Sequence, residues 1–144
     1  LEESSVHAHT ASSTEDPLCL SIEASPVGSD FQPVPKLRDE VVMDICECLI
    51  DMASALFSLP SKELRGAGRS TLPVSRVRQI AMYVAHVVLR LTMADVGRGF
   101  GRDRTTVLHA CQLVEDLRDD AEFDRVVLMF ERVASAAFRT RLDL

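Results

Sequence analysis

The chain has 144 residues, 47% of them apolar but only seven aromatic. That suffices for one domain whose core is filled by Val, Leu, Ala and Met rather than by rings. Sixteen basic and 22 acidic side chains leave a net charge of −6, which excludes a uniformly basic polyanion binder.

The charge is unevenly divided along the chain. Residues 1–60 carry 2 basic and 11 acidic side chains, residues 61–111 carry 9 and 3, and residues 112–144 carry 5 and 8. The middle segment is positive inside an acidic chain, and a local field of that sign suits a polyanion.

Residues 1–35 are rich in Ser, Pro and acid without sustained periodicity, and they read as a disordered acidic tail. The folded domain is expected over 36–144. From Lys36 to Phe57 apolar residues return at helical spacing through Leu37, Val41, Ile45, Cys48 or Leu49, Met52 and Leu56. Pro60 stops this helix, and Ser61 is placed to cap a short turn ending near Arg65. Residues 66–71, Gly-Ala-Gly-Arg-Ser-Thr, form a flexible basic loop.

A second long helix follows Pro73, with Val77, Ile80, Ala81, Val84, Val88 and Leu91 on its inner face. Gln79, Tyr83, His86 and Arg90 fall toward the other side, and Arg78 is expected to face solvent. Thr92 is a suitable cap for a short helix carrying Met93, Val96 and Phe100, and Gly101 a suitable breaker. Asp103 then caps a helix that turns Val107, Ala110, Cys111, Val114 and Leu117 inward. Thr105, His109, Gln112 and Asp116 lie opposite. A last helix, starting near Glu122, buries Phe123, Val126, Val127, Phe130, Val133, Ala134, Ala137 and Phe138. With no convincing strand pattern, the fold class is all-α, five or six helices that include a helix-turn-helix.

That last motif carries the functional reading. Arg102-Asp103-Arg104-Thr105-Thr106 occupies the turn and the first turn of its second helix, the part that reaches base edges in a major groove. An Arg can donate two hydrogen bonds to guanine, while Thr offers a hydroxyl to a base or phosphate and a methyl to thymine. Asp103, Arg104, Thr105 and Thr106 are therefore the candidate base contacts. Arg65, Arg69, Arg76, Arg78, Arg98, Arg102, His109 and Gln112 are the candidates for the backbone or the minor groove.

Other chemistry is poorly supported. Gly97-Arg98-Gly99-Phe100-Gly101 follows no strand and precedes no Gly-Lys-Ser/Thr, so it reads as helix packing and a turn rather than a nucleotide loop. Cys19, Cys46, Cys48 and Cys111 lack disulfide or metal spacing and are expected as reduced, mostly buried thiols. The cluster Glu115, Asp116, Asp119 and Asp120 reads as a solvated helix end. No catalytic, metal, nucleotide or other cofactor site is expected. No apolar run approaches 18 residues and no signal peptide is visible, which points to the cytoplasm and, for a DNA binder, the nucleoid.

Three stretches taken together resemble a known family. Arg76-Val-Arg78-Gln79-Ile80-Ala81-Met82-Tyr83, Thr92-Met-Ala-Asp-Val-Gly97 and Phe100-Gly-Arg-Asp-Arg-Thr-Thr-Val-Leu-His-Ala-Cys111 are similar to the C-terminal DNA-binding domain of the bacterial replication initiator DnaA. The likeness spans roughly 38–135 and implies a small helical domain that binds a short duplex box. It carries base contact to Asp103, Thr105 and Thr106, and backbone proximity to Arg78 and Arg102. It also implies a minor-groove arginine from the basic loop, for which Arg69 is the best candidate.

The chain departs from the family in several places. Arg104 stands where the family has His, exchanging a switchable donor and acceptor for a permanent cation. One glycine of the family's turn is missing, His86 replaces a Lys, and Gln112 replaces an Arg. An ATPase domain has no room in 144 residues, so the resemblance implies a stand-alone DnaA-like protein without it.

The sequence thus predicts a double-stranded-DNA-binding regulator of transcription or replication. The alternative is a protein-interaction module that kept the fold and lost useful DNA affinity. The acidic tail is expected to compete for the basic face or to recruit a protein partner. Deleting residues 1–35 removes six carboxylates, Glu2, Glu3, Glu15, Asp16, Glu23 and Asp30. Non-specific duplex affinity should then rise, most at low salt where screening is weak. Titration of a random duplex at two ionic strengths checks this, and unchanged affinity at low salt would remove the competing role.

Overall fold

The computed structural model describes residues 38–142, and the tail expected over 1–35 lies outside them. Six helices follow one another, with no strand among the described residues: α1 (Asp39–Phe57), α2 (Ser61–Arg65), α3 (Leu72–Val87), α4 (Met93–Phe100), α5 (Arg104–Leu117) and α6 (Ala121–Leu142). None is long and apolar enough to cross a membrane.

Local chemistry sets the boundaries. Pro73 sits in the first turn of α3, where its missing N–H costs nothing. The Thr92 hydroxyl accepts from the Asp95 amide at the start of α4, and the Asp103 carboxylate accepts from the Thr106 amide at the start of α5. Each satisfies an amide that the helix itself leaves without a partner. Asp120 does the same for Phe123 at α6, so one member of the expected solvated cluster is a cap. Gly101, at φ 63°, ends α4 in the left-handed region that glycine adopts without penalty.

Helix α3 is the axis of the molecule, packed against α1, α2, α4, α5 and α6. It buries Val74, Val77, Ile80, Ala81, Val84 and Ala85, as an inner face would. It also buries Arg78, Met82 and Tyr83, which corrects the expectation that Arg78 and Tyr83 look outward. With five helices packed against it, α3 keeps between its ends only a narrow, partly exposed flank at Ser75, Arg76 and Gln79, and Arg78 and Tyr83 fall outside it.

The buried stripe of α1 is Val42, Ile45, Cys46, Leu49, Ile50 and Ala53, rotated from the expected one. Cys46 therefore points inward, while Cys48 and Leu56 are exposed. Helix α6 buries a narrower stripe than expected, Val127, Phe130, Ala134 and Phe138. Val133 and Ala137 are exposed, because the helix lies on the bundle along one line. Among the described cysteines, Cys46 and Cys111 are buried and free, and burial pushes the Cys46 thiol up to about 12.

The two glycines within α4 are packing devices, Gly97 as the sequence suggests and Gly99 beyond what it suggests. A methyl group at Gly97 would stand 2.6 Å from the Arg102 carbonyl oxygen, and one at Gly99 would stand 2.2 Å from Cys46 Sγ. The first lets the turn fold back on α4; the second lets α4 touch α1. Gly99→Ala should therefore destabilise the domain by about 1–3 kcal/mol through overpacking, outweighing its gain in helix propensity. Urea denaturation checks this, and an unchanged midpoint would mean that Cys46 moves aside freely.

Candidate nucleic-acid interface

Helices α4 and α5 form the two arms of a helix-turn-helix. Their turn is closed by hydrogen bonds from the Arg102 amide to the Gly97 carbonyl (2.8 Å) and from the Gly101 amide to Arg98 (3.4 Å). At the front of α5, Asp103, Arg104, Thr105 and Thr106 are all exposed, as are His109 and Gln112 further along. Val107, Ala110, Cys111 and Val114 anchor the opposite side. Capping employs one Asp103 oxygen, 2.6 Å from the Thr106 amide. Hydrogen bonds from Thr106 hold that carboxyl below the usual carboxylate range, with help from Thr105 and from the charge of His109.

The far end of α5 is clamped. Tyr83 Oη donates to Glu115 at 2.6 Å, and Arg118 reaches Asp124, Glu131 and Tyr83 Oη. The Arg118 guanidinium also lies 5.7 Å from the centre of the Tyr83 ring, within cation–π range. Burial and the Glu115 hydrogen bond push the Tyr83 hydroxyl up to about 12, so it stays a donor at neutral pH. Burial opposes the Arg118 charge, yet its bonds to Glu131, Asp124 and Tyr83 raise its pKa overall. These contacts tie α5 to α3 and α6, and sequence spacing offers no sign of them.

Beside α5, the loop after α2 and one flank of α3 enclose a groove of about 470 Å³. Arg69, Arg78 and Arg102 line it with Ser70, Ser75, Gln79, Thr106 and His109, and no carboxylate among the described residues does. A second depression, on the other flank of α5, contains Arg104, His86 and Thr92. His86 Nδ1 is 2.8 Å from the Leu91 carbonyl oxygen, so that nitrogen donates and steadies the α3–α4 turn. His86 is half-buried there, not on the open face that periodicity suggested.

The structure sorts the candidate arginines into distinct situations. Arg65 is paired with Glu47 and Asp51 of α1, and Arg98 with Asp39 and Asp95. Arg78, only 8% exposed, donates to Leu64 O (2.8 Å), Glu63 O (2.7 Å) and Ser70 Oγ (2.9 Å). Burial lowers its pKa, and the neighbouring charge of Arg102 lowers it further. Arg102 is half-buried and donates to the Gly66 carbonyl. Arg76 holds Gln79 at 3.1 Å. Arg69 and Arg104 are exposed, without an acidic partner among the described residues.

The family model for the bacterial dnaA protein helix-turn-helix matches residues 46–114. Residues 46–114 are therefore similar to the helix-turn-helix of bacterial DnaA. The chromosomal replication initiator protein DnaA of Lachnoclostridium phytofermentans is 33% identical over 95 residues, covering 65% of this chain and 20% of that protein. The chain thus matches about a fifth of that relative's length. A crystal structure of a DNA replication initiation factor superposes with a TM-score of 0.60 at 25% identity, over 67% of this chain and 30% of its own. A replication initiator DnaA bound to AMPPCP and single-stranded DNA gives 0.59 at 24% identity, over 67% and 29%, a likeness of fold. The DnaA resemblance noted from three motifs therefore holds for the domain.

Arg78 is where burial changes an expectation most. Arg78→Ala would strand two carbonyls and a hydroxyl that a charged donor now satisfies, a loss of about 1.5–3 kcal/mol. Arg69→Ala, at an exposed position, should move stability by less than about 0.5 kcal/mol. Parallel thermal and urea melts check the contrast. Equal, small effects would show that Arg78 is dispensable to the fold.

Proposed function

We propose that this domain binds double-stranded DNA in a sequence-specific way, as part of a regulator of replication or transcription acting at the nucleoid. The observation that carries the reading is the exposed first turn of α5. It presents Arg104, Thr105 and Thr106 beside a groove lined by three arginines and no carboxylate, in a DnaA-type helix-turn-helix. Arg104 would read guanine, the two threonines would contact bases or phosphate, and Asp103 would hold the helix start while offering its remaining oxygen. His109 and Gln112 would lie along the backbone.

Phosphate binding falls to fewer cations than a count of arginines implies. Arg65 and Arg98 are offset by carboxylates, and Arg78 is committed to carbonyls. That leaves Arg69 and Arg76 as the phosphate contacts, with the charges of Arg102 and Arg104 adding to the field beside them. With about 0.9 counterions released per neutralised phosphate, two to four such cations give a slope of log affinity against log salt of roughly −2 to −4.

Selection from a random duplex pool followed by salt titration tests this. Arg104→Ala should cost about 1–3 kcal/mol on the selected site and relax one or two base positions. Equal losses on selected and random duplex would move Arg104 to the phosphate group. Salt-independent binding, or none below the high micromolar range, would favour the interaction-module reading instead.

A further inference from the structure

The two surfaces that would meet DNA belong to different parts of the chain. The basic loop carrying Arg69 follows α2, while Arg104 opens α5, 35 positions later. One side chain bridges them directly. Arg102, in the turn between α4 and α5, donates from Nη2 to the carbonyl of Gly66 at the base of the loop.

The loop has few other anchors. A methyl group on Gly68 would meet nothing within 4 Å, and a methyl on Gly66 would meet only backbone carbonyls of α2 at 3.4 and 3.5 Å. Gly68, Arg69 and Thr71 are exposed. Ser70 alone is held from elsewhere, by Arg78. A loop so lightly packed takes its position from those two guanidiniums. Arg78 fixes it to α3, and Arg102 fixes it to the turn that launches the recognition helix. Because Arg102 is half-buried and engaged inward, its geometry suits a strut better than a free phosphate contact.

We infer that Arg102 is a positioning residue that locks the basic loop to the recognition helix, so that Arg69 and Arg104 engage one duplex in a fixed register. This deepens the DNA-binding reading and rests on it. Its signature is energetic coupling. With the strut in place, Arg69 arrives preorganised, and its removal loses a full contact. Without the strut, Arg69 must be ordered during binding, and that cost consumes most of what it returns. Two residues in one physical unit are non-additive, whereas independent phosphate contacts add.

The test is a double-mutant cycle on the full chain, with a selected duplex. Arg69→Ala should weaken binding about tenfold in the wild-type background and less than about threefold in Arg102→Ala. Arg102→Lys serves as a second variant that keeps the charge but loses the planar fork. If it shows the same reduced effect of Arg69→Ala, the hydrogen bond rather than the charge is responsible. Equal losses in all three backgrounds would overturn the inference and make Arg102 an ordinary phosphate contact. A second measurement uses the free protein: amide order parameters over 66–70 should fall in Arg102→Ala while those of α3 and α5 stay unchanged. Unaltered loop order would also overturn it. Failure of the wild-type chain to bind any duplex would sink the DNA reading, and the loop measurement would still decide whether Arg102 positions the loop.

Discussion

One buried guanidinium, with no carboxylate among the described residues to answer it, organises the candidate interface. Arg78 comes from the central helix and spends its hydrogen bonds on the carbonyls of Leu64 and Glu63 and on the Ser70 hydroxyl. Those carbonyls end a five-residue helix, where backbone acceptors lack intrahelical donors. The exchange suits both sides: a short helix gains a terminus, and a basic side chain gains a place in the interior. Because the acceptors are neutral, the positive charge is retained. It adds to the field of the groove without having to reach outward.

The rest of the reading face is built around that arrangement. Helix α5 is held at its start by the Asp103 cap and at its end by Tyr83 and Arg118, so its exposed edge is fixed at both extremities. Gly97 lets the turn lie against α4 and Gly99 lets α4 lie against α1. Small residues thus set the distance between helices, and polar ones set their orientation. A reading helix needs both, since base edges discriminate only when donors arrive at the correct spacing.

Much of this was legible in the sequence wherever the chemistry is local. The caps at Thr92 and Asp103, the break at Gly101 and the buried side of α5 follow from residue type and a 100° step. The inward roles of Arg78 and Tyr83 did not. Periodicity assigns residues to faces, but it cannot say that five other helices pack against α3. In α1 the same limit chose the wrong flank, since Cys46 and Ile50 compete with Cys48 and Met52 for one stripe. The composition of the candidate site was readable, but the state of its charges was not. Arg98 meets Asp39 across 59 positions and Arg65 meets Glu47 across 18, pairings that only the folded chain creates.

Those last pairings bear on how such a domain can change over time. The carboxylates that silence Arg65 and Arg98 include Glu47, Asp51 and Asp39, all on α1, a helix that contributes no candidate base contact. Loss of Glu47 and Asp51 together would unmask Arg65, and loss of Asp39 would leave Arg98 with Asp95 alone; gain of another acid would hide a cation. On the proposed function, grip on a polyanion would be adjustable from a helix remote from the candidate base contacts. Strength and selectivity would then be inherited on separate parts of the chain, each free to drift without dragging the other along.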